Sequence, residues 1–173
     1  MALAVCAYPQ MKNEDHSGIQ SFRKEHDGYY SVVEPHFSFV FPLEEIGQNE
    51  FIEEIEQKSD GFEKIDFEIR CATVNKDAIL DIYHLLLVPD KGYSNIVKLH
   101  DKLYSNKLFN YLRLDIDFIP HMGIANSQDK YEVKKWADEW NASDFLIAGS
   151  IESLMVVDYT DDVLIDLKKI QLK

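Results

Sequence analysis

Two short stretches hold the side chains best suited to chemistry. Glu34-Pro35-His36-Phe37-Ser38-Phe39 and Ile119-Pro120-His121-Met122-Gly123-Ile124 share one pattern, Pro-His-apolar-small-apolar. The two histidines lie about half a chain length apart, the arrangement expected of two similar half-domains that bring equivalent strands to one cleft. In a strand, residues i and i+2 share a face. His36 therefore projects with Ser38, and His121 with the Cα of Gly123, while Phe37, Phe39, Met122 and Ile124 turn toward a core. Imidazole titrates near pH 6.5 and exists in both states near neutrality. Two imidazoles on opposite sides of a phosphate can divide acid and base work, one taking a proton from water and the other giving one to the leaving oxygen. A hydroxyl two residues on can donate to a non-bridging phosphate oxygen. This chemistry requires no metal and no cofactor.

The elements that must position these residues follow from pattern. Leu3 to Tyr8 reads as a strand stopped by Pro9, followed by a polar loop from Gln10 to His16. Ser17 and Gln20 have capping-box spacing, opening a helix with Ile19, Phe22, His26 and Tyr29 at helical intervals. His36 to Phe41 alternates, placing Phe37, Phe39 and Phe41 on one face and His36, Ser38 and Val40 on the other. An acidic helix carries Phe51, Ile52, Ile55 and Phe62 as its stripe. Lys64–Val74 and Ile79–Val88 read as a hairpin around Asn75-Lys76-Asp77. Ser94 opens a helix with Ile96, Leu99, Leu103 and Tyr104 inside. Asp117–Ala125 reads as a strand containing Pro120. Asp129 and Glu132 open a last helix with Val133, Trp136, Ala137 and Trp140 on one stripe. Leu146–Tyr159 and Val163–Leu172 close the chain as a hairpin. This order is α+β rather than doubly wound, because strands and helices do not alternate strictly. No Gly-rich nucleotide loop, Walker loop, HExxH or CxxC pair occurs.

Composition narrows the class. With 18 Lys and Arg against 31 Asp and Glu in 173 residues, the formal net charge is −13. Such acidity argues against an extended nucleic-acid surface, which neutralises many phosphates, and leaves a compact single-phosphate site open. Most of the excess lies in the first half, where Glu44, Glu45, Glu50, Glu53, Glu54 and Glu56 form the wet face of a helix. This acidity is expected on outer helices, away from the histidine strands. No apolar run approaches the roughly 18 residues of a bilayer span, and the N-terminal apolar stretch is short for a signal core. Cys6 and Cys71 suggest no disulfide framework, so a cytoplasmic location with both thiols reduced is expected. The length suits one domain over residues 1–173.

The duplicated motif resembles the two-histidine (2H) phosphoesterase superfamily, in its 2′-5′ RNA ligase-like branch. That family carries two H-x-T/S-x motifs. His36-Phe37-Ser38-Phe39 matches the first, followed by Val40-Phe41-Pro42, and Phe118-Ile119-Pro120-His121 matches the lead-in to the second. The resemblance implies a two-lobed, pseudo-symmetric fold of antiparallel sheets around a central cleft, with helices outside. It implies hydrolysis of a 2′,3′-cyclic phosphate or related phosphodiester in a small nucleotide or RNA end, with His36 and His121 as acid and base and Ser38 as phosphate ligand; ligation ranks below hydrolysis. Gly123 departs from the family's Thr or Ser. It removes a hydroxyl but offers room and a backbone N–H to phosphate or water.

Other readings stand beside this one. The chain reads alternatively as a catalytically weakened nucleotide- or phosphate-binding module of the same fold, motivated by Gly123. A two-histidine metal site lacks a carboxylate or Cys at ligand spacing. His16, His26, His84 and His100 read as incidental, His84 being expected as a hydrogen-bonded core histidine. Trp136 and Trp140 read as core, and Tyr8 as a strand-end tyrosine able to stack on a base. Arg23 and Arg70 are candidate phosphate helpers.

Overall fold

The computed structural model describes residues 1–173. Its elements are β1 (Leu3–Ala7), β2 (Gln10–Met11), α1 (Asn13–His26), β3 (Phe37–Leu43), α2 (Gln48–Ser59), β4 (Ile65–Lys76) and β5 (Tyr83–Lys91). They continue with α3 (Tyr93–Leu103), a 3-10 turn (Asn106–Tyr111), β6 (Met122–Ser127), α4 (Lys130–Asn141), β7 (Ile147–Ile151), β8 (Ser153–Thr160) and β9 (Val163–Gln171). The strands form two sheets of order β3-β1-β8-β9 and β2-β7-β4-β5-β6, with every pairing antiparallel. The fold is the expected α+β, two-lobed arrangement. The edge strand next to β1 is β3 and the edge strand next to β5 is β6, so each histidine motif feeds an edge strand of its own sheet.

Alternation sorts the residues between a core and a cavity. Leu3, Val5, Phe37 and Phe39 of one sheet share a buried cluster with Phe67, Ile69, Leu85, Leu87, Met122 and Ile124 of the other. The Phe37 and Phe67 rings meet at 5.2 Å, joining the residue after His36 to β4 of the other sheet. The intervening residues Ala4, Cys6, Ser38, His84, Leu86 and Gly123 line a cavity instead. Period-2 alternation thus puts the dry side of each edge strand into the core and the chemical side into open space.

Four expectations are corrected. Helix α1 begins at Asn13, one turn before Ser17, and ends at His26, leaving Tyr29 in the turn beyond. The stretch 117–121 is irregular, and both His36 and His121 immediately precede their strands; Pro35 and Pro120 lack the N–H that would extend the ladder. Alternation fails after Phe39: the β1–β3 register shifts between Val5–Val40 and Cys6–Ser38. As a result Val40 is buried beside Phe39, and Phe41 is half-buried against the cavity. Finally, Leu146–Tyr159 is two strands: β7 belongs to one sheet and β8 to the other. At the crossing, the Glu152 carbonyl accepts from Leu172 N at 2.9 Å and Gln171 Nε2 at 2.8 Å. Two further boundaries move. Gln10–Met11 pairs with β7 rather than lying in a loop, and the β4–β5 strands end at the Lys76–Tyr83 pair, so the hairpin turn spans 77–82.

Candidate active site

A cavity of about 540 Å³ lies on the faces of the two sheets turned away from their shared core. His36, Ser38, His121 and Gly123 all line it, together with His84, Asn126, Tyr29 and Tyr159. The two motifs, far apart in sequence, therefore face one space.

Both histidines are held by the same device. His36 Nδ1 lies 2.9 Å from the Glu34 carbonyl, and His121 Nδ1 lies 2.5 Å from the Ile119 carbonyl. A carbonyl only accepts, so Nδ1–H donates in each case and the neutral ring leaves Nε2 as the acceptor. The proline between histidine and carbonyl fixes the local backbone of this loop. The Ser38 side chain is half-buried at the wall, and an added Cβ at Gly123 would meet nothing within 4 Å. The second motif's missing hydroxyl thus leaves open space, with no neighbour filling the gap.

The electrostatics depress both imidazoles. Burial pushes His121 down to about 4, only partly offset by the Ile119 carbonyl, and the His36 and His84 rings push it further. Burial also lowers His36, offset by the Glu34 carbonyl and reinforced by the Arg23 guanidinium. Both rings are therefore neutral near pH 7. An anion placed between them favours their charged forms.

The approaches to both histidines are anchored by residues that sequence reasoning assigned elsewhere. Arg23, 1% exposed, donates through Nε to Asp27 at 2.8 Å and through Nη1 to Gln20 at 2.9 Å. Its Nη2 donates to the carbonyls of Tyr29 at 3.3 Å and Val33 at 2.7 Å. The expected phosphate helper is therefore committed to holding the segment that leads into His36. Asp27 also accepts from Asn126 Nδ2 at 2.7 Å, tying that segment to β6, the strand that His121 opens. On the other side His100, 3% exposed, stacks on Phe118 at 3.6 Å and steadies the irregular lead-in to His121. The carbonyl partners of Arg23 were not legible, because they lie in a loop without periodicity.

Other candidates fall outside the site. Arg70 pairs with Glu68 and Asp90 and does not line the cavity. The Tyr8 hydroxyl donates to Asp166 at 3.3 Å, and Tyr8 is not a lining residue. His26 packs on Trp136, and both tryptophans make edge contacts with Phe22, as core residues do. His84 is the exception. It is hydrogen-bonded, as expected, but its partner is Asp77 at 2.9 Å and it lines the cavity rather than the core. Burial raises the Asp77 carboxyl, yet the N–H groups of Leu80 and Ile79 and the His84 ring outweigh this and hold it below the usual carboxylate range.

The acidic helix α2 contributes nothing to the cavity wall, but Asp27, Asp77, Asp115 and Asp117 do. The glutamates of α2 stay away from the cavity as expected, but these four aspartates do not. The expected wet face is only partial: Glu44 and Glu45 precede the helix, and Glu54 is 6% exposed, turned inward against Lys58. Asp27 is spent on Arg23 and Asn126, and Asp115 on Arg113. No group of three His, Cys, Asp or Glu side chains is spaced to hold a metal ion, and no helix is long and apolar enough to cross a membrane.

Two antiparallel sheets, each presenting a Pro-His edge strand to one cavity, define a two-lobed α+β class, and comparison with known proteins gives the class its family. Residues 9–163 match the model of the 2′-5′ RNA ligase superfamily, and the chain belongs to that superfamily. Protein TT0787 of Thermus thermophilus is similar in structure, with TM-score 0.64 and 12% identity over 99% of this chain and 98% of that one. Escherichia coli LigT complexed with ATP gives TM-score 0.56 at 11% identity, with 99% and 98% covered. LigT complexed with 3′-AMP gives TM-score 0.57 at 12% identity over the same shares. At these identities the likeness is one of fold. No curated protein matches the chain significantly.

Proposed function

We propose that this protein is a metal-independent phosphoesterase that hydrolyses a 2′,3′-cyclic phosphate, or a related phosphodiester, in a small nucleotide or RNA end. The observation that carries this reading is the matched pair of imidazoles, each with Nδ1–H pinned to a carbonyl two residues back, at the entries to β3 and β6 and lining one cavity. One neutral ring takes a proton from the attacking water. The other, protonated when the anion enters, gives its proton to the departing 2′ or 3′ oxygen. The P–O bond to water forms as the ring P–O bond breaks, leaving a phosphomonoester. Ser38 Oγ–H donates to a non-bridging oxygen, where the phosphorane's charge grows. The superfamily match and the nucleotide complexes of LigT, a protein of the same fold, support a nucleotide as ligand.

A second reading, a weakened binding module of the same fold, is favoured by one observation: position 123 carries no hydroxyl opposite Ser38. Incubating the full chain with 2′,3′-cyclic AMP and EDTA, with chromatography of products, separates the two. Formation of 2′- or 3′-AMP is expected for the phosphoesterase. Binding without turnover selects the module, and neither binding nor turnover refutes both.

A further inference from the structure

The cavity contains a third imidazole that the two-histidine chemistry does not use. His84 lies on β5 with its ring 2.9 Å from Asp77 Oδ2. The other Asp77 oxygen accepts from Ile79 N at 2.8 Å and Leu80 N at 2.7 Å. The carboxylate is thereby fixed in place by its own turn, and the imidazole is aimed from it. His84 lies on the strand beside Gly123: Leu86 pairs with Gly123 and His84 with Asn126. A register shift between Leu85 and Leu86 separates the two rungs, but His84 and Gly123 both line the same cavity wall, where neighbouring strands put side chains within reach of one another.

The internal repeat supplies the second observation. Ser38 stands two residues after His36, and Gly123 stands two residues after His121. One half offers the phosphate a hydroxyl; the other offers open space. The remaining cations at the wall are committed elsewhere, Arg23 to Asp27 and Lys76 to Asp81.

We propose that His84, with Asp77 as its counter-ion, is the phosphate ligand of the second half-site, taking the place of the hydroxyl absent at Gly123. This rests on the phosphate-site reading above. With Nε2–H donating to Asp77, only the imidazolium has a further N–H, at Nδ1, to donate to a phosphate oxygen. Charge-assisted bonds of this kind are shorter and stronger than neutral ones. His84 thus binds and orients, while His36 and His121 move protons.

The test is calorimetric titration of 3′-AMP into the full chain, as wild type, His84→Gln, Gly123→Thr and the double variant, with thermal melts to confirm folding. The glutamine amide still offers Asp77 a donor but carries no charge. We expect His84→Gln to weaken binding about tenfold to a hundredfold. We expect Gly123→Thr in that background to recover most of the loss, because its hydroxyl enters the open space beside the phosphate. Asp77→Asn, which leaves His84 in place and removes its counter-ion, is expected to weaken binding in the same direction. Unchanged binding in His84→Gln overturns the inference and leaves the phosphate site standing. A loss that Gly123→Thr does not recover overturns it too, marking His84 as structural. A wild type that does not bind 3′-AMP overturns the phosphate-site reading, and this inference with it.

Discussion

Replacing Arg23 by Met tests whether a buried ion pair holds the lead-in to His36. The substitution keeps a long apolar stem but removes four hydrogen bonds, two of them to loop carbonyls. It also leaves the Asp27 carboxylate, 5% exposed, without its cation. Removing one partner of a buried pair costs about 3–5 kcal/mol, mostly because the other charge is stranded. That is a large share of a typical total of about 5–15 kcal/mol, and at this chain length it lowers the melting temperature by about 10 °C. Asp27→Asn separates charge from shape. The amide oxygen still accepts from Tyr29 N and Asn126 Nδ2, which Asp27 Oδ1 now serves at 3.0 and 2.7 Å. In that background no charge is stranded, so Arg23→Met is expected to cost about 2 kcal/mol less than in the wild type, a coupling within the usual range for contacting residues. Urea unfolding of the wild type, both single variants and the double variant, followed by circular dichroism, measures the cycle. A loss under about 1 kcal/mol for Arg23→Met, or strict additivity of the two substitutions, would refute the reasoning, because either shows that the pair is not desolvated.

Three further outcomes follow from the same physics. His121, held down to about 4 when folded against 6.5 when unfolded, binds fewer protons in the native state. Stability therefore falls as pH drops from 6.5 toward 4, by roughly 3 kcal/mol in all, and urea unfolding of His121→Gln at pH 7.5 and 5 is expected to lack this share; equal slopes contradict it. Cys6 is buried with its thiol pushed up to about 12, whereas Cys71 is exposed, so a chromogenic disulfide titration near pH 8 is expected to show one fast equivalent, absent in Cys71→Ser. A Cβ at Gly149 would sit 2.2 Å from the Gln10 carbonyl oxygen and 2.7 Å from Phe67 Cζ, so Gly149→Ala is expected to cost about 1–3 kcal/mol through overpacking; an unshifted melting temperature contradicts that.

The residues that line the cavity from the two motifs were legible because strands alternate with period two, and Pro-His-apolar-small-apolar states which side faces where. The α+β class, the α4 stripe and the Asp129 cap, whose Oδ1 accepts from Tyr131 N, came from the same local rules. What stayed hidden is non-local. Nothing between Leu146 and Tyr159 marks the transfer from one sheet to the other at Glu152, because the apolar pattern reads through it and the reason lies in strands elsewhere. His84 sits in the apolar run Leu80–Val88, where pattern alone suggests a core position; β6 alongside turns its face into the cavity wall. Arg23 looked like a free cation because its carbonyl acceptors lie in a loop that periodicity does not describe.

The central claim is that His36 and His121 act as one acid–base pair. Steady-state hydrolysis of 2′,3′-cyclic AMP with EDTA present, by wild type, His36→Ala, His121→Ala and the double variant, tests it most directly. Each single variant is expected to lose about two to four orders of magnitude in kcat, and the double variant little more than either, because residues acting as a unit are not additive. Full activity in either single variant, or losses that multiply in the double variant, would contradict the account.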